Sequence, residues 1–291
     1  MENTKNQACL WVIATPIGNL QDISLRAHET LKKVDGVLCE DTRRTLQLMR
    51  HLKLEKPLYR LDAHSKESVI LKWVREMENG KSLALVTDAG TPAVSDPGAK
   101  LVKLARNAGV KIEPIPGVSA VTTLLSVSGF EQTSFCFCGF FPRKTKEKKQ
   151  ELEKILSSSF QPVWVWFESP ERITSTFDFF NKNLPDAQVV VGKELTKIHE
   201  KFFCGSVTEV FLQVKNEIKQ QGTKGEWSFA LYDPTISVAP EVSLDWFKAL
   251  ECLIEQGISP SQSVRIVSHK FGVAKKIVYE AFLRAFQHKN E

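Results

Sequence analysis

Four loops carry the residues of this sequence that are best suited to hold a ligand. Each loop is rich in Gly, Pro or acidic residues and follows a short apolar run, at residues 15–19, 40–43, 88–92 and 114–120. Glycine lets backbone amides and carbonyls approach a ligand closely, and proline stiffens the loop around it. For any single loop, an ordinary strand-to-helix turn is the better interpretation. Four such loops converging on one sheet edge predict a binding site.

Charged side chains in these loops have a choice of roles. Asp88 precedes a glycine, and its carboxylate can accept hydrogen bonds from a ribose or an amine, or cap the next segment. Asp41 is expected to cap the following helix, and Arg43 is a candidate donor to an anionic substrate. The turn at Pro116 and Gly117 opens a predicted helix, and its free backbone N–H groups suit a small anion such as a carboxylate.

A basic segment further along the chain suits a polyanion. Its cationic residues are Arg143, Lys144, Lys146, Lys148 and Lys149. Phe140 and Phe141 directly precede it, and aromatic rings there can stack on an unpaired base while the cations pair with phosphates. Taken alone, the segment is better explained as the solvated start of a helix beside two core aromatics.

The four loops are positioned by a regular alternation of strand-like and helix-like segments. A segment with helical periodicity follows each of five short apolar runs, at residues 9–14, 36–39, 58–61, 82–87 and 110–113. This alternation predicts an α/β domain with a largely parallel sheet at residues 9–131. Ligands of such sheets bind in the loops that leave the carboxyl ends of the strands.

Two further modules are predicted after this domain. Residues 132–235 have more strand per residue and indicate a second α/β domain with mixed strand pairing. Residues 240–288 are purely helical, with a helix that begins at Pro260 and breaks at Gly272. This spacing suits a helix–turn–helix or a plain helical hairpin, and the pattern favours the hairpin. The expected fold is therefore two α/β domains plus a C-terminal helical extension.

Composition excludes several classes of protein. The chain has 291 residues, 42% of them hydrophobic and 25% charged, which excludes extended disorder, collagen-like repeats and disulfide scaffolds. Six cysteines without Cys-x-x-Cys spacing and six scattered histidines predict buried thiols in a reducing compartment and no structural metal. Apolar runs too short for a membrane span and an N-terminus without a signal pattern predict a cytosolic protein.

The net charge of +5 is unevenly distributed. Residues 261–291 contain six Lys or Arg against two Glu, so most of the excess lies in the helical extension. A basic extension is compatible with a polyanionic partner, although an imbalance of this size is more often a matter of solubility.

Several short motifs occur in an order that resembles one enzyme family. The motifs are residues 14–20, 40–43, 86–92, 96–98, 116–117, 167–172, 193–197 and 224–226. Together they resemble the ribosomal RNA small subunit methyltransferase I family, within the tetrapyrrole-methylase-like class of S-adenosylmethionine enzymes. The likeness extends from about residue 9 to residue 232, and the helical extension also resembles that family's C-terminal part.

The resemblance implies a cofactor, a reaction and partners. S-adenosylmethionine would be held in the cleft between the two α/β domains. The product would be a 2′-O-methylated cytidine in the decoding region of 16S rRNA, so the partner would be 16S rRNA or the small ribosomal subunit. No membrane partner is implied, and a homodimer is expected.

The resemblance also assigns site residues through its motifs. The implied cofactor contacts are Pro16, Gly18, Asp88, Ala89, Gly90, Pro116 and Gly117. A ribose hydroxyl is a weak nucleophile, so a base, or a cation near the developing alkoxide, would help. The matching candidates are Glu168 as base and Lys193 or Arg43 as cation. Glu168 is an equally good structural partner for Arg172. The implied RNA contacts are Arg143, Lys144 and Lys146.

Two other functions compete with this interpretation. One is a methyltransferase that acts on a small tetrapyrrole or a protein side chain, because a fold does not fix its substrate. The basic segment and basic extension argue against it. The other is a non-catalytic ribosome-binding factor that keeps the cofactor cleft as a scaffold. The intact loops at residues 88–92 and 116–117 argue against this second alternative.

Overall fold

A computed structural model describes residues 8–158, 162–234 and 244–286 of the chain. These residues divide into two compact units. The first unit holds residues 8–143 and 162–233 and contains all the described strands, and the second holds residues 144–158, 234 and 244–286. The domain boundaries at residues 131 and 235 stay predictions, and the ends of the predicted extension, residues 240–243 and 287–288, lie outside the described residues.

Strands and helices alternate along most of the described chain, as predicted. The strands are β1 (Cys9–Ile13), β2 (Gly36–Cys39), β3 (Leu58–Arg60), β4 (Leu83–Leu85), β5 (Lys111–Ile115), β6 (Phe135–Phe140), β7 (Val163–Glu168), β8 (Gln188–Lys193), β9 (Lys201–Ser206) and β10 (Trp227–Tyr232). The α-helices are α1 (Leu25–Lys33), α2 (Thr42–His51), α3 (Glu67–Glu78), α4 (Ala99–Asn107), α5 (Ala120–Ser126), α6 (Thr145–Ser157), α7 (Ile173–Asn183), α8 (Val207–Gln221), α9 (Leu244–Glu255), α10 (Pro260–Phe271) and α11 (Lys275–Phe286).

The first sheet is parallel throughout, which confirms the predicted α/β architecture. Its strand order is β3-β2-β4-β1-β5. Apolar side chains cover both faces because alternate residues of each strand enter different cores: Leu10 packs with Trp73 and Met77, whereas Ile13 packs with Leu31. Burial on both faces explains why the strands are apolar runs rather than alternating ones.

Local capping fixes where the helices beside the predicted site begin. Ser24 accepts a hydrogen bond from the Ala27 N–H and starts α1. Asp41 accepts from the Arg43 N–H at 2.8 Å and starts α2. The predicted capping role of Asp41 is thereby confirmed.

The second sheet has mixed pairing, also as predicted. Its order is β6-β7-β10-β8-β9, with β6 parallel to β7 and the other neighbours antiparallel. One face packs Trp166 and Phe229 against Phe177 and Phe180 of α7. The other face packs against α5 through Val165 and its neighbours.

Helices α9, α10 and α11 pack around one apolar core in the second unit. Trp246, Leu250, Val267 and Val278 are almost fully buried in it. Gly272 has a φ of 67° and ends α10 in the left-handed conformation that glycine adopts without strain. Because α9 shares this core, the extension is a cluster of three helices, in which α10 and α11 lie on either side of the predicted break at Gly272. Among the described helices, none has both the length and the apolar character of a membrane span.

Candidate functional site

A cavity of about 560 Å³ lies at the carboxyl edge of the first sheet, within the first unit. Its wall takes residues from loops of the first sheet and from β6, β7 and β10 of the second. Cavities of this size suit a small-molecule ligand or cofactor.

The four strand-end loops meet at this cavity, as the sequence predicts. Ile17 follows β1, Arg44 lies in the first turn of α2 after β2, Asp88 follows β4 and Ser119 follows β5; all four line the wall. They meet because parallel strands place all their carboxyl ends at one edge of the sheet.

Asp88 is a carboxylate of the wall that contacts residues of another loop. Its Oδ1 accepts a hydrogen bond from the Asp41 N–H at 3.1 Å, and its Oδ2 lies 3.5 Å from Arg44 Nε. Asp88 therefore joins the loops after β2 and β4, and one face of its carboxylate borders the cavity.

Arg44, rather than Arg43, is the arginine in the cavity wall. The Arg43 side chain is 88% exposed and its Nη2 lies 2.7 Å from Asp41 Oδ2. This hydrogen bonding lowers the pKa of Asp41 to about 2. Because consecutive helical residues point in directions about 100° apart, only one of the two arginines can face the cavity. Arg43, the predicted donor to the substrate, is therefore outside the described cavity wall, and the next residue, Arg44, lies in it.

Two further carboxyl groups lie close enough to Asp88 to feel its charge: Asp96, which is in the wall, and Glu40, which is not. Burial, followed by the negative charges of Asp88 and Asp96, raises the pKa of Glu40. Burial and then Asp88 raise the pKa of Asp96 against the opposing hydrogen bond of Thr87. The wall thus favours a cationic ligand. Within the described ranges, no group of three or more His, Cys, Asp or Glu side chains is arranged to hold a metal ion.

The structure separates the seven predicted cofactor contacts into two groups. Asp88, Ala89 and Gly90 line the cavity. The other four are not in the described wall: Pro16 and Gly18 flank the wall residue Ile17 in sequence, and Pro116 and Gly117 precede the wall residue Ser119 by three and two positions. The first group keeps direct contact with a ligand as its expected role.

Two of these glycines are needed for loop packing. A Cβ at Gly18 would lie 2.5 Å from Lys197 Cγ, and a Cβ at Gly117 would lie 2.9 Å from that of Ala14. Since α5 begins at Ala120, the turn before it does not present helix N-terminal amides. The predicted anion site at Pro116 and Gly117 therefore lies before the helix and stays a prediction.

The side chains of Glu168 and Lys193 lie on the face of the second sheet that packs against α7 and α8, although Glu168, at the end of β7, is also among the residues that line the cavity. Both are in register with Trp227 of β10, one on each side. Side chains alternate between the faces of a strand, so residues next to them in sequence, such as Phe167 and Gly192, take the opposite, cavity-side face. The prediction that Lys193 faces the cleft is wrong for this reason.

The Glu168 carboxylate is fully engaged in structural bonds. Its Oε2 accepts from Arg172 Nη2 at 2.8 Å and from Thr176 Oγ1 at 2.6 Å, and its Oε1 accepts from the Ser169 N–H at 2.8 Å. The side chain has no exposed surface. Arg172 also donates to the backbone carbonyls of Phe141 and Pro142. These contacts support the structural interpretation of Glu168, which holds the chain just before the basic segment.

Lys193 is part of a buried ion pair. Its Nζ lies 2.7 Å from Glu217 Oε1 and over the ring of Trp227, and Lys201 Nζ lies 2.8 Å from the second oxygen of Glu217. Burial raises the pKa of Glu217, but the two ammonium groups outweigh burial and leave this pKa below its ordinary value. The Lys193 ammonium is therefore committed to α8.

The basic segment and its two aromatics divide between solvent and core. Arg143, Lys144 and Lys146 are exposed, and Lys144 Nζ lies 3.3 Å from Glu147 Oε1. Phe141 is 1% exposed and packs against core aromatics, so it cannot stack on a base. Phe140 is 62% exposed and lines the cavity. Only one of the two predicted stacking residues is available.

Sequence reasoning missed Ser228, a polar residue in the cavity wall. Ser228 is 4% exposed, and its Oγ has no hydrogen-bond partner among the described residues. It is in register with Phe167 and Gly192, on the cavity face of β10. Buried hydroxyls without a partner are costly and uncommon, so this one indicates a ligand contact. The available signal was a serine inside the otherwise apolar strand β10.

Comparisons with known proteins agree with this architecture. The profile of the family described as Tetrapyrrole (Corrin/Porphyrin) Methylases matches residues 9–210. The proteins named Ribosomal RNA small subunit methyltransferase I from Halalkalibacterium halodurans and Bacillus subtilis are each 34% identical to the chain. The first covers 95% of both chains, and the second 94% of this chain and 93% of its own. The protein of that name from Thermotoga maritima is 40% identical over 69% of this chain and 89% of its own.

Solved structures of similar fold come from other enzymes. A diphthine synthase has a TM-score of 0.61 at 16% identity and covers 85% of this chain and 95% of its own. A cobalt precorrin-4 methyltransferase has a TM-score of 0.56 at 21% identity and covers 79% of this chain and 97% of its own. At these identities the likeness shows the fold alone.

Proposed function

Because the chain belongs to the ribosomal RNA small subunit methyltransferase I family, we propose that it methylates the ribose 2′-oxygen of a cytidine in the decoding region of 16S rRNA. Enzymes of this family take their methyl group from S-adenosylmethionine. The observation that carries the proposal is the cavity. Its acidic residues suit this donor, and one of its aromatic residues, Phe140, is followed in sequence by an exposed basic segment.

The cavity fits S-adenosylmethionine in charge, hydrogen bonding and size. When bound, the donor supplies a methyl group on a cationic sulfonium. Asp88, with Glu40 and Asp96 beside it, offers negative charge to this cation. The backbone of Ala89 and Gly90 and the unpartnered hydroxyl of Ser228 offer hydrogen bonds. We assign these residues to donor binding.

Catalysis at this site rests mainly on positioning. Methyl transfer needs the ribose oxygen in line with the methyl carbon and sulfur, and little covalent work from the protein. Arg44 is the cation of the described wall and can stabilise a developing alkoxide. Asp96 is a wall carboxylate with a raised pKa, which makes it the better proton acceptor. Glu168 and Lys193 contribute as positioning residues behind the second sheet.

RNA binding is assigned to the basic segment. Arg143, Lys144 and Lys146 are exposed and can pair with backbone phosphates. Arg172 anchors the residues just before them through two backbone carbonyls. A homodimer remains a prediction that light scattering of the purified chain would check.

Labelled donor and defined ribosomal substrates test the proposed reaction. The chain would be incubated with methyl-labelled S-adenosylmethionine and small subunits from cells that lack this gene, and the 16S rRNA digested to nucleosides. We expect label in 2′-O-methylcytidine, with mature subunits as the control that takes up none. Label on a base, or binding without transfer, would contradict the proposal. Naked 16S rRNA in a parallel reaction defines the substrate form.

A further inference from the structure

We propose that Phe140 is the stacking platform that receives an unpaired nucleobase of the RNA at the mouth of the cavity. This inference rests on the proposed function and assigns a substrate contact to a wall residue that is not among those assigned to donor binding. The juxtaposition behind it is an exposed aromatic ring in the cavity wall, three residues before an exposed arginine that begins a basic segment.

A β-bulge aims Phe140 into the cavity. Phe137 pairs with Val165 and Phe140 pairs with Phe167, so three steps along β6 match two steps along β7. Side chains three residues apart on a regular strand point to opposite faces. The extra residue corrects this parity, and Gly139 accommodates it with a φ of 71°. Bulges commonly re-aim a side chain beside a functional site.

The ring is supported from behind and open in front. The ring centroids of Phe140 and Phe167 are 5.8 Å apart with planes at 72°, and Phe167 lies 4.9 Å from Phe137. Phe137 and Phe167 are partly buried, whereas Phe140 keeps 62% of its surface exposed. An aromatic ring held in this way loses little conformational freedom when a base stacks on it.

The cationic residues that follow Phe140 in sequence favour a nucleotide as the ligand of this ring. A single apolar ligand would not need cations beside it, but a nucleotide within a strand carries a phosphate on each side. Arg143 is exposed three residues after Phe140, and Lys144 and Lys146 follow it in sequence. Sequence-specific RNA recognition commonly splays out an unpaired base and stacks it on an aromatic side chain. A base on Phe140 would also reach a cavity that contains the methyl donor.

Substitutions at Phe140 test this platform against a matched position on the same strand. Phe135 is 48% exposed at the start of β6 and is not a wall residue in the described structure, so F135A is the control. Binding of unmethylated small subunits would be measured by filter retention with S-adenosylhomocysteine present, and KM and kcat with labelled donor.

For F140A we expect subunit affinity to fall by roughly 5- to 150-fold, the range for losing one base stack. F140W should retain affinity within about 3-fold and F140L should not, because stacking needs a flat ring. Donor affinity by calorimetry and oligomeric mass should stay unchanged.

Three results would overturn the platform. One is F140A binding subunits as tightly as F135A; another is a loss of donor affinity, which would place the donor's adenine on the ring. The third is a change in oligomeric mass, which would show a second copy covering it. If wild-type chain bound subunits through Phe140 but left the ribose unmethylated, the proposed function would fail while the platform stood.

Discussion

The two walls of the cavity differ in charge and in how the chain builds them. The first sheet contributes acids, centred on Asp88, from loops that follow parallel strands. The second sheet contributes aromatic rings, ending at Phe140 of an edge strand with a bulge, and its two lining carboxylates, Glu168 and Glu226, are each in an ion pair. An acidic wall suits a cationic methyl donor, and an aromatic rim that leads into exposed cations suits RNA. The difference indicates that the acidic loops bind the donor, with Ser228 of β10 beside them, and that the aromatic rim binds the acceptor.

Structural support for the second wall lies behind it. Glu168 and Lys193 are both in register with Trp227 on the far face of the sheet, each in an ion pair with a helix or its first turn. Removing one partner of a buried pair leaves a charge without compensation. Substitutions in these ion pairs should therefore change stability and RNA affinity more than they change donor affinity.

The largest effect is expected from R172A. It leaves the buried Glu168 carboxylate without its cation and frees the Phe141 and Pro142 carbonyls. Unfolding free energy should fall by about 3 kcal/mol, as for other broken buried pairs, and subunit affinity should fall with it. Urea denaturation and filter binding measure the two effects, with exposed Glu171→Ala as the control. Unchanged RNA affinity in R172A would contradict the claim that the second wall takes part in RNA binding.

A smaller loss of stability is expected from K193A. Glu217 keeps Lys201 as a partner, so the cost should be about 2 kcal/mol. The folded K193A enzyme should retain kcat within about 3-fold, because its ammonium faces α8. K201A removes an exposed cation from the same carboxylate and is the matched control. A loss of kcat in K193A at unchanged stability would restore Lys193 as a catalytic cation.

The donor-binding assignment of Ser228, on β10, is tested by S228A. Loss of one hydrogen bond to the donor should weaken S-adenosylmethionine binding by about 5-fold, equal to about 1 kcal/mol. Because the hydroxyl has no partner among the described residues, stability should stay the same or rise slightly. Calorimetry checks both, with S175A at an exposed position as control. Weakened subunit binding with normal donor binding would reverse the assignment of this serine.

The mildest effect is expected from pH. Glu40 and Asp96 have raised pKa values, so they become protonated at a higher pH than ordinary carboxyls as the pH falls. A cationic donor prefers the ionised forms, so its affinity should decrease as the pH is lowered through these raised values. D96N should weaken donor binding at neutral pH and flatten this dependence. If donor affinity depended on pH identically in D96N and wild type, Asp96 would not be the titrating group at the donor site.

The sequence predicted the framework of the site better than the direction of its side chains. Apolar runs and helical periodicity identified both sheets, and the short side chain of Asp41 identified a cap, because these are local properties. Which of Arg43 and Arg44 faces the cavity depends on the exact turn of α2. The strand faces of Glu168 and Lys193 depend on register with β10, which is a long-range property.

Two features of the wall could not be predicted from local sequence patterns, because they too depend on contacts between distant segments. The exposure of Phe140 and the burial of Phe141 follow from the bulge in β6, whose signal is only a glycine at position 139. Ser228 is conspicuous only once its neighbours in the sheet show that its hydroxyl has no described partner. The face of the sheet that a side chain occupies, and whether a buried hydroxyl has a hydrogen-bond partner, can thus be determined only from the folded structure.

The central claim is that the acidic loops bind the donor, whereas the aromatic rim and the basic segment bind RNA. It is tested most directly by two variants measured with two ligands. D88N alters the acidic wall, and R143A/K144A alters the basic segment. Calorimetry with S-adenosylmethionine and salt-dependent filter binding with unmethylated subunits give both affinities for each variant.

D88N should weaken donor binding about 10-fold or more and leave RNA binding unchanged. R143A/K144A should leave donor binding unchanged and reduce the salt slope of RNA binding by about one to two. If both variants weakened both ligands equally, or if the salt slope of R143A/K144A equalled that of wild type, the division between the two walls would be contradicted.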